Sequence, residues 1–138
     1  RKKPVWIFKR DEKALESLDS EDLIKNLDDP DGTGNSKNQQ PNYVTSNFRT
    51  IKNKESIAVI VGVCTHLGCS PTYRPEPGAA DLGGDSWKGG FYCPCHGSKF
   101  DLAGRVYAGV PAPTNLAIPP YQYVTDSLIR IGVDQQKT

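Results

Sequence analysis

Two short runs contain all four cysteines and both histidines of this chain. Residues 64–69 read Cys-Thr-His-Leu-Gly-Cys, and residues 93–98 read Cys-Pro-Cys-His-Gly-Ser. Six residues scattered at random over 138 positions would very rarely form two clusters this tight. The chain therefore needs thiolates and imidazoles at one place, which indicates a metal centre.

The spacing divides the runs into two half-sites. Cys64 and His66 are two positions apart, and Cys93 and His96 are three apart. On a turning backbone each pair can point at one ion, so each run supplies one sulfur and one nitrogen. The sequence thus predicts Cys64, His66, Cys93 and His96 as metal ligands.

Two further cysteines, Cys69 and Cys95, lie just beyond the ligands. Either of them would crowd a site that already has four ligands, so we predict that they form a disulfide, which requires an oxidising compartment. A structural zinc site could use a Cys2His2 set, but it would explain neither these cysteines nor the Gly-Ser that follows the second histidine. A scaffold with two disulfides would leave both histidines without a role.

The two runs resemble the two cluster-binding boxes of Rieske iron-sulfur proteins, in particular the Rieske subunit of ubiquinol:cytochrome c oxidoreductase, the respiratory cytochrome bc complex of bacteria and mitochondria. The resemblance covers residues 64–69 and 93–120 most clearly and residues 1–30 less so. It implies one Rieske [2Fe-2S] cluster per chain, in which histidines replace two cysteines and raise the potential. The two ligand cysteines would bind the buried iron, and the two histidines the exposed iron.

The resemblance also implies roles for other residues of the boxes. His66 and His96 would be the catalytic histidines, with His96 contacting quinol and receiving an electron and a proton together. Ser98 would donate a hydrogen bond to a cluster sulfur. Leu67 and Gly68, together with Pro111, Ala112 and Pro113, would form an apolar rim around the exposed histidines.

One position departs from the family pattern. Relatives commonly read Gly-Ser-His-Tyr-Asp after the second box, whereas this chain reads Gly-Ser-Lys-Phe-Asp over residues 97–101. The family tyrosine donates a hydrogen bond to a cluster sulfur, and Phe100 has no hydroxyl. We therefore expect a cluster potential below that of tyrosine-bearing relatives.

The resemblance implies electron transfer from ubiquinol to a c-type cytochrome, beside cytochrome b, as the iron-sulfur subunit of an oxidoreductase. The expected location is the periplasmic side of the bacterial inner membrane or the mitochondrial intermembrane space. Arsenite oxidase small subunits and plastoquinol-oxidising complexes share this high-potential branch and remain alternatives. Rieske ferredoxins and oxygenases generally lack the cysteines that match Cys69 and Cys95.

Composition limits the other possibilities. The formal net charge of +1 provides no basic excess for a nucleic-acid partner. A mean hydropathy of −0.55 indicates a soluble chain, and no apolar run approaches the ~20 residues of a membrane span. The chain begins at Arg1, so we expect that an upstream transmembrane helix and hinge are absent from it.

Apolar patterning predicts an all-β fold, with many short strands separated by glycine and proline turns. The resemblance specifies a Rieske-type antiparallel β sandwich, a single domain over residues 1–138. Its base fold would take residues 1–63 and 114–138, and a cluster-binding subdomain residues 64–113. The predicted elements are strands at 3–9, 48–51 and 56–63, two short helices between 12 and 28, a surface loop at 33–42, and hairpins at 99–107 and 121–133. Residues 70–92 are predicted to be a loop that buries little, with Trp87 covering it as a satellite core.

Overall fold

Antiparallel strands dominate the computed structural model, which describes residues 3–44 and 47–134. Within these ranges, seven strands form three sheets and two short helices follow the first strand. The all-β class is confirmed. The elements are β1 (Val5–Lys9), α1 (Glu12–Leu18), α2 (Glu21–Ile24), β2 (Ile57–Val61), β3 (Thr72–Arg74), β4 (Gly90–Tyr92), β5 (Lys99–Asp101), β6 (Tyr121–Thr125) and β7 (Leu128–Ile131).

The first sheet pairs β1 with β2 along their full length, beginning with Val5 opposite Val61. Residues 58–60 of β2 are at most 1% exposed. Both faces of this strand are therefore buried, as its unbroken apolar run predicts. Because β2 ends three positions before Cys64, it leads the chain from the core directly into the first box.

Polar side chains begin both helices. The Asp11 carboxylate accepts a hydrogen bond from the Ala14 N–H at 2.8 Å, and the Ser20 hydroxyl accepts one from the Leu23 N–H at 3.4 Å. Such caps satisfy N–H groups that have no partner within the helix. Leu18 and Leu23 are buried, so each helix packs an apolar side against the protein. The prediction of two short helices is confirmed.

The insert at residues 70–92 is more ordered than predicted. It contributes β3 and β4 to a three-stranded sheet with β5, and it contains the 3-10 turns Ala80–Leu82 and Gly84–Ser86. Leu82 and Trp87 are buried, with 4% and 1% exposure. The prediction that this segment is loop and buries little is wrong, whereas the prediction that Trp87 forms a satellite core is confirmed.

The strand predicted at residues 48–51 is also wrong. Arg49 has a φ of +56°, a left-handed conformation that interrupts an extended strand. Its buried guanidinium donates hydrogen bonds to the carbonyls of Ala103 and Leu116 at 2.9 and 2.6 Å. Ile51 retains one isolated β-bridge. This segment therefore anchors a side chain and does not extend a sheet.

The two predicted hairpins have different outcomes. β6 and β7 form the closing hairpin, as predicted. The earlier hairpin is partial, because β5 is followed by a turn and a single bridge between Phe100 and Val106. The Asp101 carboxylate organises this turn by accepting hydrogen bonds from the N–H groups of Ala103 and Arg105 and from Arg105 Nε at 2.7 Å. Both partners of this ion pair are fully buried.

Buried apolar side chains form two core clusters. The first core cluster includes both free cysteines and consists of Val44, Ala58, Val59, Ile60, Cys64, Phe91, Cys93, Phe100, Val106, Ala112, Leu116, Ile118 and Tyr121. The second core cluster joins the helices to the insert and consists of Leu18, Leu23, Leu27, Leu82, Trp87, Leu102, Ala103 and Tyr107. The two boxes therefore rest on the first core cluster.

Candidate metal centre

The two boxes fold into loops with the same hydrogen-bond pattern. In the first box, the Cys64 N–H donates to the Cys69 carbonyl at 2.7 Å and the Gly68 N–H donates to the Cys64 carbonyl at 3.0 Å. In the second box, Cys93 makes the equivalent two bonds with residues 97–98 at 2.9 and 2.8 Å. Each loop is thus closed around its first cysteine.

A glycine at the fifth position makes this closure possible. Gly68 has a φ of +82° and Gly97 a φ of +85°. Residues other than glycine rarely adopt this left-handed backbone conformation. The glycine that the two boxes share is therefore explained by the backbone geometry of the loops.

The two cysteines at the start of the boxes are free thiols in the protein interior. Cys64 is 3% exposed and Cys93 is 2% exposed. Burial raises the pKa of the Cys64 thiol, and the neighbouring Cys93 thiol raises this pKa further, whereas a hydrogen bond from the His66 backbone lowers it. Two thiolates at this place consequently need a cationic partner, and bound iron would provide one.

The two histidines lie together on the outer side of the site. The ring centroids of His66 and His96 are 5.0 Å apart, and the rings meet nearly edge to face at 81°. His66 is half-buried and His96 is exposed. The donor set is therefore polarised, with sulfur inside and nitrogen outside. It fits a cluster that has one buried and one exposed iron.

The predicted disulfide between Cys69 and Cys95 is confirmed, with an S–S distance of 2.01 Å across a sequence separation of 26. It joins the end of the first box to the second box. Cys93 Sγ lies within 4.8 Å of both disulfide sulfurs. Because oxidised sulfurs are not thiolate ligands, these three cysteines do not form a separate metal site, and the disulfide lies beside the free Cys93 thiol.

A third loop, residues 109–114, is tied to both boxes. The buried Ser98 Oγ accepts a hydrogen bond from the Ala112 N–H at 3.0 Å, and Thr65 Oγ1 donates one to the Thr114 carbonyl at 2.7 Å. The roles of Thr65 and of the Ala112 N–H were not predicted from the sequence. A hydroxyl inside the first box was the available signal for Thr65, whereas no side chain marks a backbone N–H.

The residues expected to form the apolar rim are exposed, with one exception. Leu67 is 67% exposed, and Gly68, Pro111 and Pro113 are also exposed. Ala112, in contrast, is 4% exposed, so its expected place on the rim is wrong. Its side chain packs in the first core cluster, while the two flanking prolines remain at the surface.

The Rieske [2Fe-2S] domain is the family whose model matches the chain, over residues 31–121. The chain belongs to this family. Its cofactor is the Rieske [2Fe-2S] cluster, with which the thiol and imidazole pairs agree. The Rieske fold also accounts for the three antiparallel sheets and the few short helices.

Curated proteins of the Rieske family are similar to nearly the whole chain. It is 53% identical to the ubiquinol-cytochrome c reductase iron-sulfur subunit of Allochromatium vinosum. The 135 aligned residues are 98% of this chain and 61% of that protein. The subunit of the same name from Bradyrhizobium diazoefficiens is 36% identical over 132 residues, or 96% of this chain and 61% of that protein.

A mitochondrial relative, the cytochrome b-c1 complex subunit Rieske-3 of Nicotiana tabacum, is 39% identical over 132 residues, covering 96% of this chain and 39% of that protein. The chain thus spans at most about 61% of the length of these relatives. Within the described ranges, no helix has the length and apolar character needed to cross a membrane.

Proposed function

We propose that this Rieske domain carries electrons within a quinol:cytochrome c oxidoreductase, accepting them from ubiquinol and delivering them to a c-type cytochrome. The names of the similar subunits support this proposal. In this proposal the domain works beside cytochrome b on the periplasmic side of a bacterial inner membrane or in the mitochondrial intermembrane space. An N-terminal helix outside this chain would attach it to the membrane.

The proposed ligands follow the polarity of the site. Cys64 and Cys93 hold the buried iron, and His66 and His96 hold the exposed iron. When bound, a cluster of this type supplies one-electron chemistry. The division into a base fold (1–63 and 114–138) and a cluster-binding subdomain (64–113) belongs to the same proposal.

Ser98 is proposed to donate a hydrogen bond to a cluster sulfur. Its Oγ already accepts from the Ala112 N–H, so its own proton is directed to another acceptor. No protein acceptor for that proton is recorded in residues 3–44 or 47–134. This arrangement supports a role in stabilising negative charge on the buried side of the site.

The observation that carries the functional proposal is the exposure of His96 beside the apolar rim. His96 receives the quinol proton on the ring nitrogen that does not bind iron. Leu67 lies in the first box and is 67% exposed, and Gly68 beside it adds no polar side chain. Little polar surface therefore needs to be desolvated when this rim docks at a quinone site.

The docking role can be tested in the assembled complex. We expect Leu67→Asp to abolish quinol:cytochrome c turnover, because a carboxylate would have to be desolvated at the contact. The electron paramagnetic resonance signal of the reduced cluster should be unchanged. Leu128→Asp is the matched control, since Leu128 is also a largely exposed leucine, at 53%, but belongs to β7. Normal turnover of the Leu67 variant would contradict the proposal.

A further inference from the structure

Two adjoining cavities open beside β1, away from the residues of the metal centre. The first, the basic cavity, has a volume of about 570 Å³ and the second, the apolar cavity, about 410 Å³. Tyr73 lines both of them. The two cavities therefore adjoin at this side chain, and together they are called the groove, with two chemically different ends.

The basic cavity has an excess of positive charge. Lys9, Arg10, Lys13 and Lys88 line it, and Asp11 is its one lining carboxylate. None of the three lysines forms an ion pair with a described residue. The Asp11 carboxylate is already engaged, because it accepts a hydrogen bond from the N–H group three positions further on. The net charge of this end attracts an anion.

Arg10 contributes charge to this cavity, but its guanidinium is buried and already donates three hydrogen bonds. Its guanidinium donates to the Glu55 carbonyl at 3.1 and 2.7 Å and to the Leu102 carbonyl at 3.2 Å. Both acceptors are neutral carbonyl oxygens, so its charge is not cancelled by direct contact with a carboxylate. The lysines are consequently the groups that would contact an anion, and the buried guanidinium adds a fixed positive charge.

The apolar cavity is lined by aliphatic and aromatic side chains, namely those of Val5, Trp6, Ile7, Phe8, Tyr73 and Phe91. Its aromatic walls are fixed by ring contacts, with centroid distances of 5.0 Å between Trp6 and Phe91 and 5.3 Å between Phe8 and Tyr73. Ile7 is nevertheless 53% exposed and Tyr73 44% exposed. This end offers a preformed apolar surface that no described part of the chain covers.

We propose that this groove binds an anionic amphiphile, with its phosphate or carboxylate head among the lysines and its alkyl tail against β1. The chain changes in chemistry along this segment, from apolar at Val5 to Phe8 to basic at Lys9 and Arg10. At a rise of about 3.3 Å per residue, the two ends are close enough for one molecule to reach both. Tyr73, at the junction, has no recorded hydrogen bond from its hydroxyl to a described residue and can donate one to the head group.

Isothermal titration of the cluster-loaded chain with monomeric octyl and decyl phosphate tests this inference. If both ends of the groove are used, decyl phosphate should bind at least several-fold more tightly than octyl phosphate, because each buried methylene contributes about fourfold in affinity. The uncharged decyl maltoside and inorganic phosphate should each bind at least tenfold more weakly than decyl phosphate.

Two pairs of variants locate the binding site. Lys13→Glu with Lys88→Glu should weaken decyl phosphate binding at least tenfold, whereas Lys37→Glu with Lys52→Glu, an equal change of charge elsewhere on the surface, should leave it within twofold. Ile7→Ser should weaken it several-fold. Retention of the cluster spectrum and of the far-ultraviolet circular dichroism shows that each variant is folded.

Three results would overturn the inference. Equal losses in the two charge-reversed pairs would mean that net charge, not the groove, binds the anion. Decyl maltoside binding as tightly as decyl phosphate would mean that the apolar end acts alone. Binding to vesicles that contain phosphatidylglycerol, without binding to monomeric decyl phosphate, would mean that the domain associates with a charged surface and does not take up a single amphiphile.

Discussion

Phe100 illustrates how one atom can set a property of the site. It is fully buried and belongs to the first core cluster together with Cys64 and Cys93. The family resemblance implies a tyrosine hydroxyl at this position that donates to a cluster sulfur. Phenylalanine lacks that donor, so we expect the reduced cluster, which carries more negative charge, to be less stabilised.

We expect Phe100→Tyr to raise the midpoint potential by tens of millivolts. A hydrogen bond to a charged group contributes roughly 1.5 kcal/mol, and 1.4 kcal/mol corresponds to about 59 mV for one electron. Protein-film voltammetry measures the change. Phe8→Tyr, on β1, serves as the control with no expected shift. An unchanged or lowered midpoint in the Phe100 variant would show that residue 100 does not face the cluster.

Individual residues differ in how far the sequence predicts them. That Cys64 and His66 belong to one site with the second box was predictable, because few side chains can bind iron and because the boxes isolate these residues from the rest of the chain. The N–H of Ala112 was not, since every residue except proline has one and its orientation depends on a distant serine. Arg49 was missed for a similar reason, because a left-handed backbone that directs a guanidinium into the core leaves no local pattern.

At the scale of elements, β4 and β5 approach closely at Gly90. A Cβ on Gly90 would overlap the Phe100 carbonyl oxygen, and the φ of Gly90 is +155°. Gly78, also in the insert, has a φ of +81° but nothing within 4 Å of such a Cβ. The two positions therefore separate steric overlap from backbone preference.

We expect Gly90→Ala to lower the free energy of unfolding by on the order of 3 kcal/mol or more, because a backbone clash is added to the conformational cost. Gly78→Ala should cost only about 1 kcal/mol, the penalty for an L-residue in left-handed geometry. Urea titration followed by circular dichroism compares them. Equal losses in both variants would show that β4 and β5 can separate freely at this point.

The disulfide is the element that joins the two boxes. Replacing Cys69 and Cys95 by Ala should lower the free energy of unfolding by roughly 3 to 4 kcal/mol, as the chain-entropy model gives for a loop of this length. The cluster should be lost to a chelator before the strands unfold, because the bond packs against Cys93. The decay of visible absorbance and of circular dichroism during the same incubation would show this order; simultaneous decay would contradict it.

Local pattern predicted those elements that local contacts determine. β2 has an unbroken apolar run, and the β6–β7 hairpin has a turn between two apolar runs, so both were found. The insert has neither signal. Its order depends on Trp87, whose indole N–H donates to the carbonyl of Arg74, thirteen positions earlier, at 3.3 Å. The packing of this side chain against Tyr107 is likewise invisible in the sequence of the insert.

At the scale of the whole molecule, buried phenols should limit stability at alkaline pH. Burial raises the pKa of Tyr121 to about 12 and raises the pKa of Tyr107 well above its usual range. In the unfolded chain both phenols ionise near pH 10. The folded state then binds more protons than the unfolded state, so stability is complete below about pH 10 and falls as the pH rises towards 12.

Tyr107→Phe tests this expectation cleanly. The Tyr107 hydroxyl is buried and has no hydrogen-bond partner among the described residues, so its removal should cost less than about 1 kcal/mol at neutral pH. The loss of unfolding free energy between about pH 9 and pH 11 should be smaller than in the parent chain, by up to about 1.4 kcal/mol per pH unit above pH 10. Urea titrations at the two pH values measure it, and an identical loss would exclude Tyr107 as a contributor.

The sulfur bridge between the boxes also determines how the molecule transmits mechanical tension. Because Cys69 and Cys95 are joined across 26 positions, a pull on the two ends of the chain passes through the bridge and bypasses the insert with β3 and β4. At roughly 3.5 Å per extended residue, about 90 Å of chain length is withheld until the bond is reduced. Under load the two boxes stay joined, whichever sheet yields first.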